Sequence, residues 1–289
     1  ASSSKGKRPR SASWSREDHQ NPLCLPPLEE QLTPPDLIQQ LLRWRKPRGS
    51  GPGLVNLGNT CFANATLQSL ASLAPFVQYL DDLSPRGDDL LAVVNGFFQR
   101  FGRVAPGSAF APKQVIGNLR RIAKSFRQGR QEDAHEFLRH LLDGLHRACL
   151  VREGLKPTDC GRREETSAIY RIFGGYLRSQ LKCSNCAFCL HTYDAFLDLS
   201  LEITGKISSL PSALQMFQAA EVLDKHNRWK CGGCGKHVRA RKQITIFKAP
   251  AVLCIQLKRF SFGMQWAHRG GGKINRFVSY PEHLDVEIS

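Results

Sequence analysis

No stretch of this 289-residue sequence approaches the roughly 18 to 20 consecutive apolar residues that a membrane-spanning helix needs, so no membrane partner is expected. The opening residues, Ala1-Ser2-Ser3-Ser4-Lys5-Gly6-Lys7-Arg8, are polar and basic and carry no secretory signal. An initiator methionine is also missing, as expected of a fragment or processed chain. Without a signal, the ten cysteines are expected in a reducing, intracellular setting, where thiol chemistry and metal binding outrank disulfides. Acidic residues are scarce, 25 against 41 basic ones, for a net charge of +16. Residues 1–50 hold nine of the basic and five of the acidic side chains, which leaves +12 on the remainder. That balance favours acidic surfaces, and nucleic acid is expected only through the basic surface or tail. A solvated basic surface reads equally well. No internal repeat is present apart from two Cys-x-x-Cys pairs.

Residues 1–51 are rich in Ser, Pro, Arg and Lys and are expected to be mostly disordered. One short helix, Asp36 to Trp44, is expected after Pro34-Pro35, with Leu37, Leu41 and Trp44 on one face to dock on the domain. The basic, serine-rich tail is compatible with the nucleus or nucleolus as well as the cytoplasm, although such charge runs are often simply solvated.

Residues 52–289 read as one α+β domain, helices first and strands afterwards. Leu90, Leu91, Val94, Phe97, Phe98 and Phe101 form one helical stripe, and Val115, Ile116, Leu119, Ile122, Ala123 and Phe126 a second. The third runs through Ala134, Phe137, Leu138, Leu141, Leu142 and Leu145. From about residue 168 the period changes to two: Leu197, Leu199, Leu201 and Ile203 alternate with polar residues, and Leu253, Ile255 and Leu257 repeat the pattern.

Cys61 stands where a Gly- and Asn-rich loop enters a helix with Leu67, Leu70 and Leu73 at helical spacing. Asn59 is placed to cap the first turn. Free amide N–H groups and the positive end of the helix dipole favour a thiolate there, which is the nucleophilic form. The competing reading is a buried, inert cysteine. Asn56 reads by itself as a turn former before the helix. In Gln131-Glu132-Asp133-Ala134-His135-Glu136, Asp133 and Glu136 are expected on one helical face, where they complement the dipole.

Cys183-Ser184-Asn185-Cys186 and Cys231-Gly232-Gly233-Cys234 are two knuckles separated by 44 residues. Together they supply four thiolates for a tetrahedral structural zinc with no open position. Cys189 forms a third pair with Cys186, so it competes for one ligand place. A redox Cys-x-x-Cys lacks its helix-start context here.

The run Gly53-Leu54-Val55-Asn56-Leu57-Gly58-Asn59-Thr60-Cys61-Phe62-Ala63-Asn64 resembles the cysteine box of the ubiquitin-specific proteases. Gln131 to Leu138 resembles the family's glutamine-containing box, and Leu257-Lys258-Arg259-Phe260 its palm strand. Lys273 to Asp285 resembles the next palm segment. Residues 172–179 look like the subgroup with ubiquitin carboxyl-terminal hydrolases thirty-six and forty-two. The resemblance implies a papain-like cysteine protease. Its helical thumb is expected at about residues 53–165, and its zinc-bearing fingers and partial palm at about residues 166–289. It implies that Cys61 attacks the carbonyl at the C-terminus of ubiquitin on conjugated proteins and that Asn56 stabilises the oxyanion. Asp133, Glu136 and Gln131 would hold the ubiquitin tail, and the zinc of Cys183, Cys186, Cys231 and Cys234 would tie the fingers together.

The family's catalytic His lies in a Gly-His-Tyr motif, followed by an Asp or Asn, and none of the nine histidines here sits in such a motif. Truncation before these residues is the expected explanation, and the chain as given is expected to be inactive or weakly active. One alternative is a catalytically incomplete ubiquitin-binding module, and a remoter one is a zinc-ribbon nucleic-acid binder. The oligomeric state is not legible.

Overall fold

The change from helix to strand falls at Gly174, between the last helix of the first half and a nine-residue strand. The computed structural model describes residues 24–84, 86–156, 158, 160–203, 205, 207–224, 227–259 and 274–289. The expected tail segment 1–23, Phe260 of the palm strand and Lys273 lie outside the described residues.

The helical half comprises α1 (Pro35–Leu41), α2 (Cys61–Ala71), α3 (Ala74–Asp82), α4 (Leu90–Phe101), α5 (Lys113–Gly117), α6 (Leu119–Ile122), α7 (Ala134–Arg152) and α8 (Ala168–Phe173). Two-residue strands β1 (Gly53–Leu54) and β2 (Ala109–Phe110) pair in parallel beside it. The α4 and α7 stripes are buried as expected from their period. The second stripe is not one helix. Asn118, with its side-chain amide donating to Gln114 O, separates two short helices that still bury Val115, Ile116, Leu119 and Ile122. The helices share one core centred on Phe76, Phe97, Phe98, Phe137 and Phe173. Asp89 caps α4 through Ala92 N and also takes two hydrogen bonds from Arg152 at the end of α7, 2.6 and 2.8 Å, which ties the two helices.

The helix expected at Asp36 to Trp44 forms as α1, from Pro35 to Leu41, and docks on the domain. Ile38 and Leu41 of α1 are 3% and 0% exposed and belong to the helical core, with Leu37 and Trp44 packed beside them. Full burial of two such side chains contributes about 1.5–3 kcal/mol each, which offsets part of the backbone entropy lost when the strap is ordered. Buried Gln78 holds the strap's return: its amide donates to Leu41 O and Arg43 O and accepts from Arg45 N. Leu32 N donates to Thr166 Oγ1, and Arg163 Nε donates to Glu30 O, fastening the other end.

The β half contains β3 (Gly175–Cys183), β4 (Cys189–Phe196), β5 (Leu199–Glu202), α9 (Leu210–Phe217), β6 (Glu221–Leu223), β7 (Trp229–Lys230), β8 (His237–Val238), β9 (Ala240–Lys248) and β10 (Ile255–Lys258). An antiparallel sheet runs β4-β3-β9-β6. The expected alternating strand is β5, paired in parallel with β10 from Ile255 opposite Leu199 to Lys258 opposite Glu202. Leu199, Leu201, Ile203, Leu214 and Ile246 make a second, smaller core beneath these strands. The hairpins β3–β4 and β7–β8 each carry one Cys-x-x-Cys at the turn.

Candidate active site and zinc cluster

Cys61 is the first residue of α2 and is exposed, which removes the buried-cysteine reading. The loop before it is held by side chains. Asn56 Oδ1 accepts from Gly58 N at 3.1 Å, Thr60 N at 3.0 Å and Thr60 Oγ1 at 3.1 Å. Leu57 N in turn donates to Thr60 Oγ1. With its oxygen committed to three donors, the Asn56 amide is oriented, and its exposed NH₂ has no hydrogen-bond partner among the described residues.

The expected cap is corrected. Asn59 has φ 54° and does not cap α2; Thr60 occupies the N-cap position, without a side-chain cap bond. Asn59 instead donates through Nδ2 to Gly129 O at 2.7 Å, joining the cysteine loop to the loop before Gln131. Gly58 has φ +90°, a conformation glycine adopts without strain. Asn64, whose role sequence reasoning missed, donates to Leu54 O and Val55 O and laces β1 to α2. Its sequence signals were its place at the end of the cysteine-box match and one helical turn after Cys61.

The two boxes meet because α2 packs on α7. Phe62 lies edge-on to Phe137 with ring centroids 5.5 Å apart, and Thr66 Oγ1 reaches both Phe62 O and Ala134 O. Asp133 is the N-cap of α7, where Oδ1 accepts from His135 N and Glu136 N. It therefore precedes the helix and does not share a helical face with Glu136 in the expected way. Gln131, Asp133 and Glu136 are all exposed. His135 and Asp198, also missed as site residues, form a contact at 2.7 Å across the seam between the two halves. A cleft of about 290 Å³ lies there, lined by Thr66, Ala134, His135, Leu138, Asp198 and Cys254. Burial pushes the Cys254 thiol up to about 11, with Asp198 adding to the effect, so the cysteine of this cleft stays a neutral thiol. Among the described residues no histidine hydrogen-bonds Cys61.

The two knuckles close on one point. The sulfurs of Cys183, Cys186, Cys231 and Cys234 all lie within 4.8 Å of one another. Cys186 Sγ and Cys231 Sγ are 3.7 Å apart, close to the ~3.8 Å edge of a tetrahedron with Zn–S bonds of about 2.3 Å. Amide groups of Asn185 and Cys186 donate to Cys183 Sγ, and Gly233 N donates to Cys231 Sγ, as suits thiolates. Desolvation opposes the Cys183 thiolate, but these amides outweigh it and draw the thiol down to about 7. The four cysteines fit a structural zinc ion with every position filled. Cys189 stands outside the cluster, its thiol directed to Ala187 O. Phe188 covers the second knuckle: a Cβ on Gly233 would come within 2.9 Å of Phe188 Cβ.

Residues 52–289 match the ubiquitin carboxyl-terminal hydrolase family. The chain belongs to this family. It is 40% identical over 266 residues to human ubiquitin carboxyl-terminal hydrolase 42, covering 90% of this chain and 19% of that protein. It is 42% identical over 256 residues to probable ubiquitin carboxyl-terminal hydrolase 16 of Schizosaccharomyces pombe, covering 85% of this chain and 53% of the relative. Among solved structures, the SAGA Ubp8/Sgf11/Sus1/Sgf73 DUB module bound to ubiquitin aldehyde aligns with TM-score 0.67 and 25% identity. That alignment covers 83% of this chain and 53% of the solved one. The fold is therefore the papain-like protease fold with a helical thumb and zinc-bearing β fingers, and the strap at residues 28–48 precedes the family match.

Proposed function

We propose that this chain is part of a thiol-dependent deubiquitinase that hydrolyses isopeptide and peptide bonds at the C-terminus of ubiquitin on protein conjugates. One observation carries the reading: an exposed thiol opens α2, and five residues before it stands an asparagine amide whose oxygen is pinned by three donors. In this reading Cys61 attacks the carbonyl carbon and the Asn56 NH₂ donates to the oxygen that becomes negative. Gln131, Asp133 and Glu136 bind the ubiquitin tail. Asp133 keeps Oδ2 available while Oδ1 caps α7, and carboxylates suit a basic tail through charge-assisted hydrogen bonds. The solved relative bound to ubiquitin aldehyde supports ubiquitin as the ligand. Zinc held by the four cysteines orders the two finger hairpins and takes no part in the reaction.

Intact mass after mixing the chain with ubiquitin bearing a C-terminal electrophile tests this reading. A single adduct that disappears in Cys61→Ala is expected; no adduct with folded, zinc-loaded chain would sink the nucleophile assignment. The absence of a histidine bonded to Cys61 among the described residues favours a second reading, a ubiquitin-binding module without turnover. It predicts saturable ubiquitin binding that survives Cys61→Ala, with no release of a fluorogenic group from the ubiquitin C-terminus.

A further inference from the structure

The two knuckle hairpins at the tip of the fingers carry basic charge, while the acidic residues nearest them in the sheet, Glu221 and Asp224, lie on and just after β6, where Glu221 pairs with Lys242. Lys182, Arg228, Lys230, Lys236, Arg239 and Arg241 are all exposed there. No Asp or Glu occurs from Leu181 to Tyr193, or from Arg228 to Gln243. Pairing gathers these cations: Lys182 is opposite Arg241, Lys230 is opposite His237, and Ser184 N donates to Arg239 O, which brings the β8–β9 link to the first knuckle. Two aromatic rings stand among them. Phe188, 39% exposed, stacks on Trp229 with centroids 6.4 Å apart and planes 18° apart. Neither ring belongs to either buried core.

We propose that this fingertip binds single-stranded nucleic acid. Cations that track a phosphate backbone, set beside rings on which bases stack, are the two elements of sequence-tolerant single-strand binding. An acidic protein segment would use the cations and leave the aromatic rings without a part. The surface lies on the hairpin turns of the fingers, on different elements from α2, which carries Cys61, and α7, which follows Asp133.

The test uses the full zinc-loaded chain and a labelled oligouridine of about 12 nucleotides, read by fluorescence anisotropy across a salt series. Saturable binding is expected, weakened at least about tenfold in the double variant Lys230→Glu/Arg239→Glu, with a salt slope lower by roughly 1.4 for two lost phosphate contacts. The thumb reversal Arg103→Glu/Lys113→Glu should leave binding within about twofold. Lys230→Gln/Arg239→Gln, which introduces no acid, should lose affinity in the same direction and keeps the test decisive if the reversal disturbs the hairpin. Phe188→Leu should weaken single-strand binding more than duplex binding. The proposal is overturned by absent binding, by equal losses in fingertip and thumb variants, or by polyglutamate displacing the oligonucleotide at equal charge concentration. The last result would assign the surface to an acidic protein segment. Labelling of Cys61 by the ubiquitin electrophile, measured on the same samples, reports separately on the active-site reading.

Discussion

His135 Nε2 lies 2.7 Å from Asp198 Oδ2, and this contact joins the first turn of α7 to the residue just before β5. The side chains are only 20% and 17% exposed, so the contact is largely shielded from competing water. Arg139 stands 3.8 Å from the other carboxylate oxygen. The pair thereby links the helix that follows Asp133 and carries Glu136 to the β half.

Asp198→Ala should lower stability by about 1–3 kcal/mol, because it strips a half-buried partner from His135 without filling the space. A drop of several degrees in calorimetric Tm is expected. An unchanged Tm would mean that the two halves are held by their apolar packing alone.

Asn56→Asp retains the oxygen that accepts from Gly58, Thr60 and Leu57's partner hydroxyl, but replaces the donor NH₂ with an acceptor. Binding of ubiquitin aldehyde as a hemithioacetal on Cys61 should weaken by about 10²-fold or more, with little change in Tm. Asn56→Ala should lower Tm as well, since three loop donors then lose their acceptor. Equal aldehyde affinity in all three proteins would remove Asn56 from the oxyanion role.

Gln78→Ala leaves Leu41 O, Arg43 O and Arg45 N without their partner inside a nearly closed site, where Gln78 is 4% exposed. Destabilisation of roughly 1–3 kcal/mol is expected. Limited proteolysis should then cut first between residues 42 and 50, because the strap's return loop loses its clamp. Cleavage elsewhere at wild-type rate would show that the ion pairs Arg45–Asp82 and Arg48–Asp81 suffice to hold it.

Cys231→Ser removes one thiolate from the four-sulfur cluster. Zinc measured by a chromogenic chelator should fall well below one per chain, and Trp229 fluorescence should shift as Phe188 loses its seat on the knuckle. Far-UV dichroism from the helical half should persist, because its core shares no residue with the cluster. Cys189→Ser should leave zinc content unchanged.

His146 is held below its ordinary pKa by burial, with Arg147 adding to the effect and Asp143 opposing it. Its Nδ1 meets Ser167 Oγ at 2.8 Å, where Ser167 caps α8. The unfolded chain therefore takes up the proton first. Stability from this group is complete above about pH 6.5 and is lost as pH falls through that value toward the lower folded pKa. Thermal melts from pH 7.5 to about 5.5 should show a steeper decline for the native protein than for His146→Asn. Parallel curves would show that His146 carries no linked proton.

The stripes at 90–101 and 134–145 and the alternation at 199–203 were legible because burial on one face forces a period, 3.6 or 2.0, on the apolar residues themselves. The cysteine box and the two knuckles were legible for the same kind of reason: their chemistry depends on short local spacings, and the four sulfurs duly meet. Tertiary structure alone decided the rest. A helix after Pro34-Pro35 was legible, but its earlier end at Leu41, the burial of Ile38 and the clamp from the Gln78 amide depend on α3 and α8 being assembled. Asn59 looked like a cap by position, and its left-handed backbone and its bond to Gly129, 70 residues away in sequence, turned it into a tie between loops. His135 and Asp198 gave no local signal, because 63 residues separate them and only the packing of two halves brings a ring nitrogen to a carboxylate. Local order is written in residue spacing, whereas contacts between distant segments depend on which faces the folded chain brings together.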